Sequence, residues 1–176
     1  MGEKRRYTEG LFSAEKVLEG IDVREGMTVI DMGFGNGYMS LNFSERVGGS
    51  GSVIAVDVNS EQVEDFKRSG LPENIEVICA DATVGTGLDD SIADVIYIST
   101  VFHIFSGDKL KSFIKEIKRL LKSDGVIVIV EIIKAETGFG PPMDKRYSEE
   151  EVVALTGMTE VGRTMVSDAF YMLTLK

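Results

Sequence analysis

Three carboxylates and a run of glycines are the residues of this sequence best placed to do chemistry. The run is Asp31-Met-Gly33-Phe34-Gly35-Asn-Gly37. Glycine lets a chain turn sharply and lets a ligand approach the backbone closely. Asp57 follows twenty residues after Gly37, and Asp81 stands in Cys-Ala-Asp81-Ala82. Each acid ends a short β-branched run. The plainest reading of the loop is a tight strand-to-helix turn with no ligand. Two ligand readings compete with it. A dinucleotide loop has the form G-x-G-x-x-G and seats a pyrophosphate on a helix N-terminus, but here the sixth position is Tyr38. Asp31, two residues before the first glycine, would oppose a pyrophosphate. It suits an amino-acid ammonium, through a charge-assisted hydrogen bond of about 1.5–3 kcal/mol.

A ligand that joins an amino acid to a nucleoside is S-adenosylmethionine. Asp57 is placed to accept from both ribose hydroxyls, as strand-end acids do in nucleotide-binding sheets. Asp81 can accept from the exocyclic amine of adenine. The plain alternatives are a solvated strand-end acid for Asp57 and a turn cap for Asp81. Three acids at three consecutive strand ends behind a glycine loop carry more weight together than any one alone.

Those residues need a scaffold, and the apolar pattern supplies one. Runs at Met27–Met32, Ser52–Asp57, Ile75–Ala80, Ala93–Ile98 and Gly125–Val130 place apolar residues consecutively, as in strands buried on both faces of a parallel sheet. Leu110, Phe113, Ile114, Ile117, Leu120 and Leu121 recur at helical spacing. Asp108 is the expected cap of that helix and Gly125 its expected stop. A helix after Asn59 or Ser60 stops at Gly70. Another opens on a capping box, Ser148 with Glu151, and runs to Gly157. A short helix over Ser13–Glu19 precedes the first strand. Thr159–Lys176 reads as two strands with a turn near Ser167-Asp168. The expectation is an α/β doubly wound, mostly parallel seven-stranded sheet with helices on both faces, forming one domain over 1–176. Ligands of such sheets bind beyond the carboxyl ends of the strands.

With these stretches in place, the sequence resembles the seven-stranded family of S-adenosylmethionine-dependent methyltransferases. The resemblance rests on Val-Ile-Asp31-Met-Gly33-Phe-Gly35-Asn-Gly37, Val-Ile-Ala-Val-Asp57, Ala80-Asp81-Ala82 and Leu121-Lys-Ser-Asp-Gly125-Val-Ile-Val-Ile-Val, and spans about Leu11 to Lys176. It is nearest the small prokaryotic branch around the ubiquinone/menaquinone methylases, which has a segment similar to Gly140–Ser148. The resemblance implies that Asp31, Gly33 and Gly35 line the methionine side, with Phe34 and Gly37 in the same loop. It implies Asp57 with Val58 at the ribose, Asp81 with Ala82 at the adenine, Ser99 at the end of the fourth strand, and an antiparallel C-terminal hairpin. Phe34 and Asn36 occupy places where smaller residues or Thr are common. Neither removes a backbone donor, although both bear on how the amino-acid end is held.

The methyl acceptor is expected beyond the fourth strand, at Ser99-Thr-Val-Phe102-His103-Ile-Phe105. His103, the only histidine, is the candidate general base; the competing reading is a loop histidine that orders the site. Tyr97, Phe102 and Phe105 read as core or pocket wall. No Asn/Asp-Pro-Pro-Tyr/Phe motif follows the fourth strand, which argues against amino methylation of a base or glutamine. Asp94 begins that strand and is badly placed for a metal, and no metal site is expected. Access to the pocket is expected over Tyr7–Phe12 and Phe139–Tyr147. With no inserted cap the pocket should be shallow, or be completed by a second subunit in a homodimer.

The net charge of −10 does not attract nucleic acid or anionic membrane, and the lysines and Arg119 of the helix after His103 read as a solvated face. One cysteine, Cys79, excludes an internal disulfide framework and a thiolate zinc site. The basic start has no apolar stretch after it, and Val126–Val130 is cut off by Glu131, far short of a membrane span. The reading is a cytoplasmic methyltransferase with a small-molecule acceptor. A cofactor-binding module that needs a partner chain is the alternative, and a nucleotide-dependent oxidoreductase a distant third.

Overall fold

The structure, a computed structural model, describes residues 10–176. Seven strands form one sheet: β1 (Thr28–Met32), β2 (Ser52–Asp57), β3 (Ile75–Cys79), β4 (Ala93–Ser99), β5 (Leu121–Ile132), β6 (Glu160–Ser167) and β7 (Phe170–Leu175). Their order is β3-β2-β1-β4-β5-β7-β6. The first five are parallel, and β7 runs antiparallel to both β5 and β6. The chain winds outward from β1 in one direction and from β4 in the other. The gap above the carboxyl ends of β1 and β4 is therefore the switch point where a doubly wound sheet opens a crevice.

Consecutive apolar residues make the central strands insoluble on both faces. One buried cluster holds Val29, Val53, Val95, Tyr97, Val128 and Phe43. The opposite one holds Ile30, Ile96, Ile98, Ile127, Ile129 and Phe113. Helices α1 (Ala14–Glu19), α2 (Tyr38–Val47), α3 (Ser60–Arg68), α4 (Gly107–Leu120) and α5 (Glu149–Thr156) join them. The ends of α1, α3 and α5 follow the sequence expectations. Ser13 and Asn59 accept from the first-turn N–H groups of α1 and α3. Ser148 and Glu151 form the capping box of α5, and Gly157 ends it in a left-handed conformation.

Two expectations about α4 are corrected. Its N-terminal flank is Ser106, and Asp108 is an exposed first-turn acid beyond it. At the other end the helix runs straight into β5 at Leu121, so Gly125 lies inside the strand. A Cβ there would stand 2.9 Å from Ala93 O and 3.0 Å from Asp94 O. The glycine lets β5 close on β4 where their register shifts. At the foot of the sheet, away from the crevice, Asp94 accepts from Thr28 N and Lys122 Nζ, both at 2.8 Å.

Candidate functional site

The glycine loop crosses from β1 to α2 with Gly33, Gly35 and Gly37 at φ of 81°, 61° and 81°, a region closed to most side chains. Packing adds a second requirement at Gly37, where a Cβ would lie 2.1 Å from the Phe66 ring. The Phe34 side chain turns inward and stacks on Phe66, their centroids 5.0 Å apart. Four of the loop's N–H groups are turned to the protein. Gly33 N and Phe34 N donate to Val56 O at 2.7 and 3.3 Å, and Gly37 N donates to Phe34 O at 3.0 Å. Gly35 N donates to Asp57 Oδ2 at 3.1 Å.

A cleft of about 550 Å³ opens above this loop, within the range of small-molecule sites. Asp31, Gly33, Phe34, Gly35, Asp57, Val58, Asp81, Ala82 and Ser99 all border it, and so do Tyr97, Val101, Ile104 and Phe105. Of the residues expected at the cofactor, Gly37 alone is not on the wall; it sets the turn beneath it. The cleft's lining carries three acids and, among the described residues, no Lys or Arg.

The acids differ in setting. Asp31 is 2% exposed and accepts from Ser40 Oγ at 2.6 Å. Burial, with Asp57 nearby, pushes its carboxyl up to about 7 despite that bond. Asp57 accepts from Gly35 N and, through Oδ1, from Asn59 N at 2.9 Å; a carboxylate with one bond at each oxygen retains lone pairs for a diol. Asp81 accepts from Thr83 N and Thr83 Oγ1 at one oxygen. These bonds hold its carboxyl below the usual range. Asp81 is thus a turn cap as well as a cleft residue.

Beyond β4 the wall is a short 3-10 turn, Phe102–Ile104. Its Val101, Ile104 and Phe105 neighbours face the cleft, while His103 does not line it. His103 is held by Glu131 of β5, which accepts from His103 N at 3.2 Å and pairs with Nδ1 at 2.8 Å. Glu131 is 1% exposed. In the sequence it registers only as the residue that cuts off an apolar run; its partner is 28 positions earlier, and nothing local points there.

The expected cover is also corrected. Tyr7, Thr8 and Glu9 lie outside the described residues. Phe12 is buried against Phe170, with centroids 5.5 Å apart. None of Phe139–Tyr147 borders the cleft. That stretch belongs to a strap folded around Arg146, whose guanidinium donates to the carbonyls of Ile133, Ala135, Phe139 and Pro141. It reaches the site only indirectly, through the Tyr147 hydroxyl, which donates to Phe105 O at 2.9 Å.

Some of the orphan chemistry of this cleft fits the cofactor inferred from the sequence. The Tyr97 and Ser99 hydroxyls at its floor are buried without partners. The lining offers acceptors, while the amides of Gly33, Phe34, Gly35 and Gly37 are already engaged within the protein. Fold and site together define a doubly wound nucleoside-binding domain that favours a ligand with a cationic end.

Comparison with known proteins agrees. The methyltransferase domain family matches residues 29–125. A solved S-adenosylmethionine-dependent methyltransferase from Aquifex aeolicus superposes with a TM-score of 0.84 at 32% identity, over 96% of this chain and 91% of that one. The ubiquinone/menaquinone biosynthesis C-methyltransferase of Idiomarina loihiensis is 33% identical over 64% of this chain and 45% of its own length. A ribosomal protein L11 methyltransferase from Dictyoglomus thermophilum is 32% identical over 63% and 34%. The chain thus spans half or less of these two curated relatives. It belongs to the methyltransferase domain family, and the cofactor this brings is S-adenosylmethionine.

Proposed function

We propose that this chain transfers a methyl group from S-adenosylmethionine to a small-molecule acceptor held against the wall beyond β4. One observation carries the reading: a single cleft at the switch point is lined by Asp31, Asp57 and Asp81 and offers no basic side chain among the described residues. That lining favours a cofactor with a cationic end over a dinucleotide, and argues against a polyanionic substrate such as RNA. On α4 the basic face is partly neutralised, since Arg119 pairs with Glu116 and Asp90 and Lys111 with Asp108, and just beyond the helix Lys122 of β5 pairs with Asp94.

The bound cofactor supplies an electrophilic methyl carbon with a neutral thioether as leaving group. The protein's share is to hold that carbon in line with the acceptor and to keep water out. Val101, Ile104, Phe105 and Phe113 give the acceptor side an apolar wall, suited to an acceptor with an apolar body. Two curated relatives are named for C-methylation in quinone biosynthesis, and a carbon acceptor on an apolar ring is the finer form of the reading.

His103 is the proposed base: its ring does not border the cleft, but it sits on the turn whose Val101, Ile104 and Phe105 do, at the edge of the acceptor wall. Glu131 at Nδ1 orients the ring and favours the tautomer with its proton on that nitrogen, in which Nε2 is the acceptor. Glu131 acts through His103 as its positioning residue.

Calorimetric titration with S-adenosylmethionine, S-adenosylhomocysteine and NADH tests the cofactor, and product nucleoside formed over a panel of phenols, quinols and amines tests the transfer. The expected result is binding of the two sulfur nucleosides alone, with turnover on one acceptor class. His103→Ala should keep cofactor affinity and lower turnover by roughly 10²-fold or more. Binding without turnover on any acceptor would favour a cofactor-binding module that works with a partner chain.

A further inference from the structure

The turn that forms the acceptor wall does little to hold itself in place. Ile104 N donates to Val101 O at 3.0 Å and Phe105 N to Phe102 O at 3.3 Å, the bonds of a single 3-10 turn. Thr100 on one side has φ of 55°, and Gly107 on the other has φ of 57°. A β-branched residue is strained in that region, and such a backbone persists where its surroundings over-determine it. Other elements must therefore fix where Ile104 and Phe105 stand in the cleft. Glu131 of β5 does so at His103. Tyr147 does so at both ends of the turn. Its hydroxyl donates to Phe105 O at 2.9 Å, and its ring packs edge-on against Phe102, with centroids 5.4 Å apart. Phe105 in turn stacks on Phe113, another residue of the wall, at 4.8 Å.

Tyr147 is itself braced. Tyr171 Oη, from β7, donates to Tyr147 O at 2.9 Å. The adjacent Arg146 is buried, and its guanidinium donates to four carbonyls and to Thr137 Oγ1. A buried cation needs its N–H groups bonded, and here that need draws residues 133–147 into one fixed shape. None of those residues borders the cleft. We propose that Tyr147 is a positioning residue for the methyl acceptor: it pins Phe105, and through it the strap sets the depth of the acceptor side and so which acceptor fits. This role rests on the transfer reading above. Without the hydroxyl the turn is free to swing about Thr100 and Gly107, so the wall recedes from the acceptor. The cofactor keeps its own contacts at the ends of β1, β2 and β3.

Tyr147→Phe keeps the ring on Phe102 and removes the hydroxyl alone. Three measurements separate the wall from the fold: kinetics over the panel of phenols, quinols and amines, calorimetry with S-adenosylhomocysteine, and amide hydrogen exchange of the unliganded chain. The expected result is an acceptor KM raised roughly three- to tenfold, with kcat within about threefold and S-adenosylhomocysteine affinity within about twofold. Faster exchange should be confined to residues 101–107. Arg146→Lys keeps the charge but loses the fork that gathers the strap, and should raise the same KM. The double variant should exceed the larger single effect by no more than about twofold, because both act through one contact. An unmoved acceptor KM in Tyr147→Phe, with the wild type turning over, would overturn the positioning role alone. An equal loss of S-adenosylhomocysteine affinity, or exchange that rose across the sheet, would also overturn it, since the hydroxyl would then serve the whole fold. A wild-type chain that turned over no acceptor would overturn the transfer reading, and this role with it.

Discussion

Asp31 and Glu116 are both buried carboxylates, and the fold treats them in opposite ways. Glu116, on α4, accepts from Thr86 N at 2.8 Å, Thr86 Oγ1 at 2.6 Å and Arg119 at 2.8 and 2.9 Å. Arg119 reaches on to Leu88 O and Asp90. The guanidinium and the threonine hold the Glu116 carboxyl down to about 2. Asp31 has Ser40 and an unpaired pair of hydroxyls beside it, and burial pushes it up to about 7. The clamp at Glu116 ties the loop between β3 and β4 to α4 with every buried polar group satisfied. The cleft floor instead leaves two hydroxyls without partners. Buried polarity fixes the fold where its partners are in the chain, and serves binding where they are not.

Removing the unsatisfied charge should therefore separate stability from binding, and this is the largest effect expected. Asp31→Asn keeps an acceptor for Ser40 and deletes the charge. Cofactor affinity should fall 100-fold or more by calorimetry, and Asp31→Ala should abolish binding. Unliganded stability should move the other way. A carboxyl whose folded value lies above its unfolded one destabilises the fold as pH rises from about 4 to about 7. A shift of about three pH units corresponds to ~4 kcal/mol at most. Denaturation from pH 4 to 8 should show that decline in the wild type and its absence in Asp31→Asn. Cofactor affinity of the wild type should climb as pH approaches about 7 and level off above it.

The clamp should behave in reverse. Arg119→Ala leaves Glu116 buried and unpaired, at a cost of roughly 2–4 kcal/mol in denaturant unfolding, with cofactor affinity unchanged. Glu116 has a folded value below its unfolded one, so its contribution is present above pH 4.5 and is lost as pH falls toward about 2. The two regions thus place opposite slopes on one stability curve. A variant of either region that altered both slopes would break the comparison.

How far this was legible in the sequence divides along the same line. The β-branched runs place five parallel strands and the terminal hairpin, and the acids that end the first three runs do border the cleft. Those signals are local: strand, glycine loop and acid follow one another in the chain. Glu131, Tyr97 and Ser99 depend on which strands become neighbours. Ser99 entered the expected site as the residue that follows the fourth run, and the missing partners of Tyr97 are visible only once β1 and β4 pair. The Phe139–Tyr147 segment read as a cover because it is short and aromatic, but Arg146 gathers its carbonyls inward and turns it into a strap. Asp108 looked like a cap because it precedes an apolar period, yet Gly107, two residues after the cleft-facing Phe105, already belongs to α4.

The smallest expected effect compares one hydroxyl in each region. Thr86→Val and Ser40→Ala each delete one O–H bonded to a buried carboxylate at 2.6 Å. At Glu116 the remaining donors keep the charge in place, so Thr86→Val should cost about 1–2 kcal/mol at neutral pH and leave the cofactor's affinity alone. At Asp31 the carboxylate can answer the loss by taking up a proton, which removes most of the penalty. Ser40→Ala should thus cost less, below about 1 kcal/mol, and should move the levelling of cofactor affinity to higher pH, because Ser40 is the group that holds the Asp31 carboxyl down. Urea unfolding at pH 7 and titration between pH 6 and 9 read the two quantities separately. Equal unfolding costs for the two variants, with no movement in the affinity curve of Ser40→Ala, would mean that Asp31 is ionised and satisfied before the cofactor arrives, and that the contrast between the two regions does not hold.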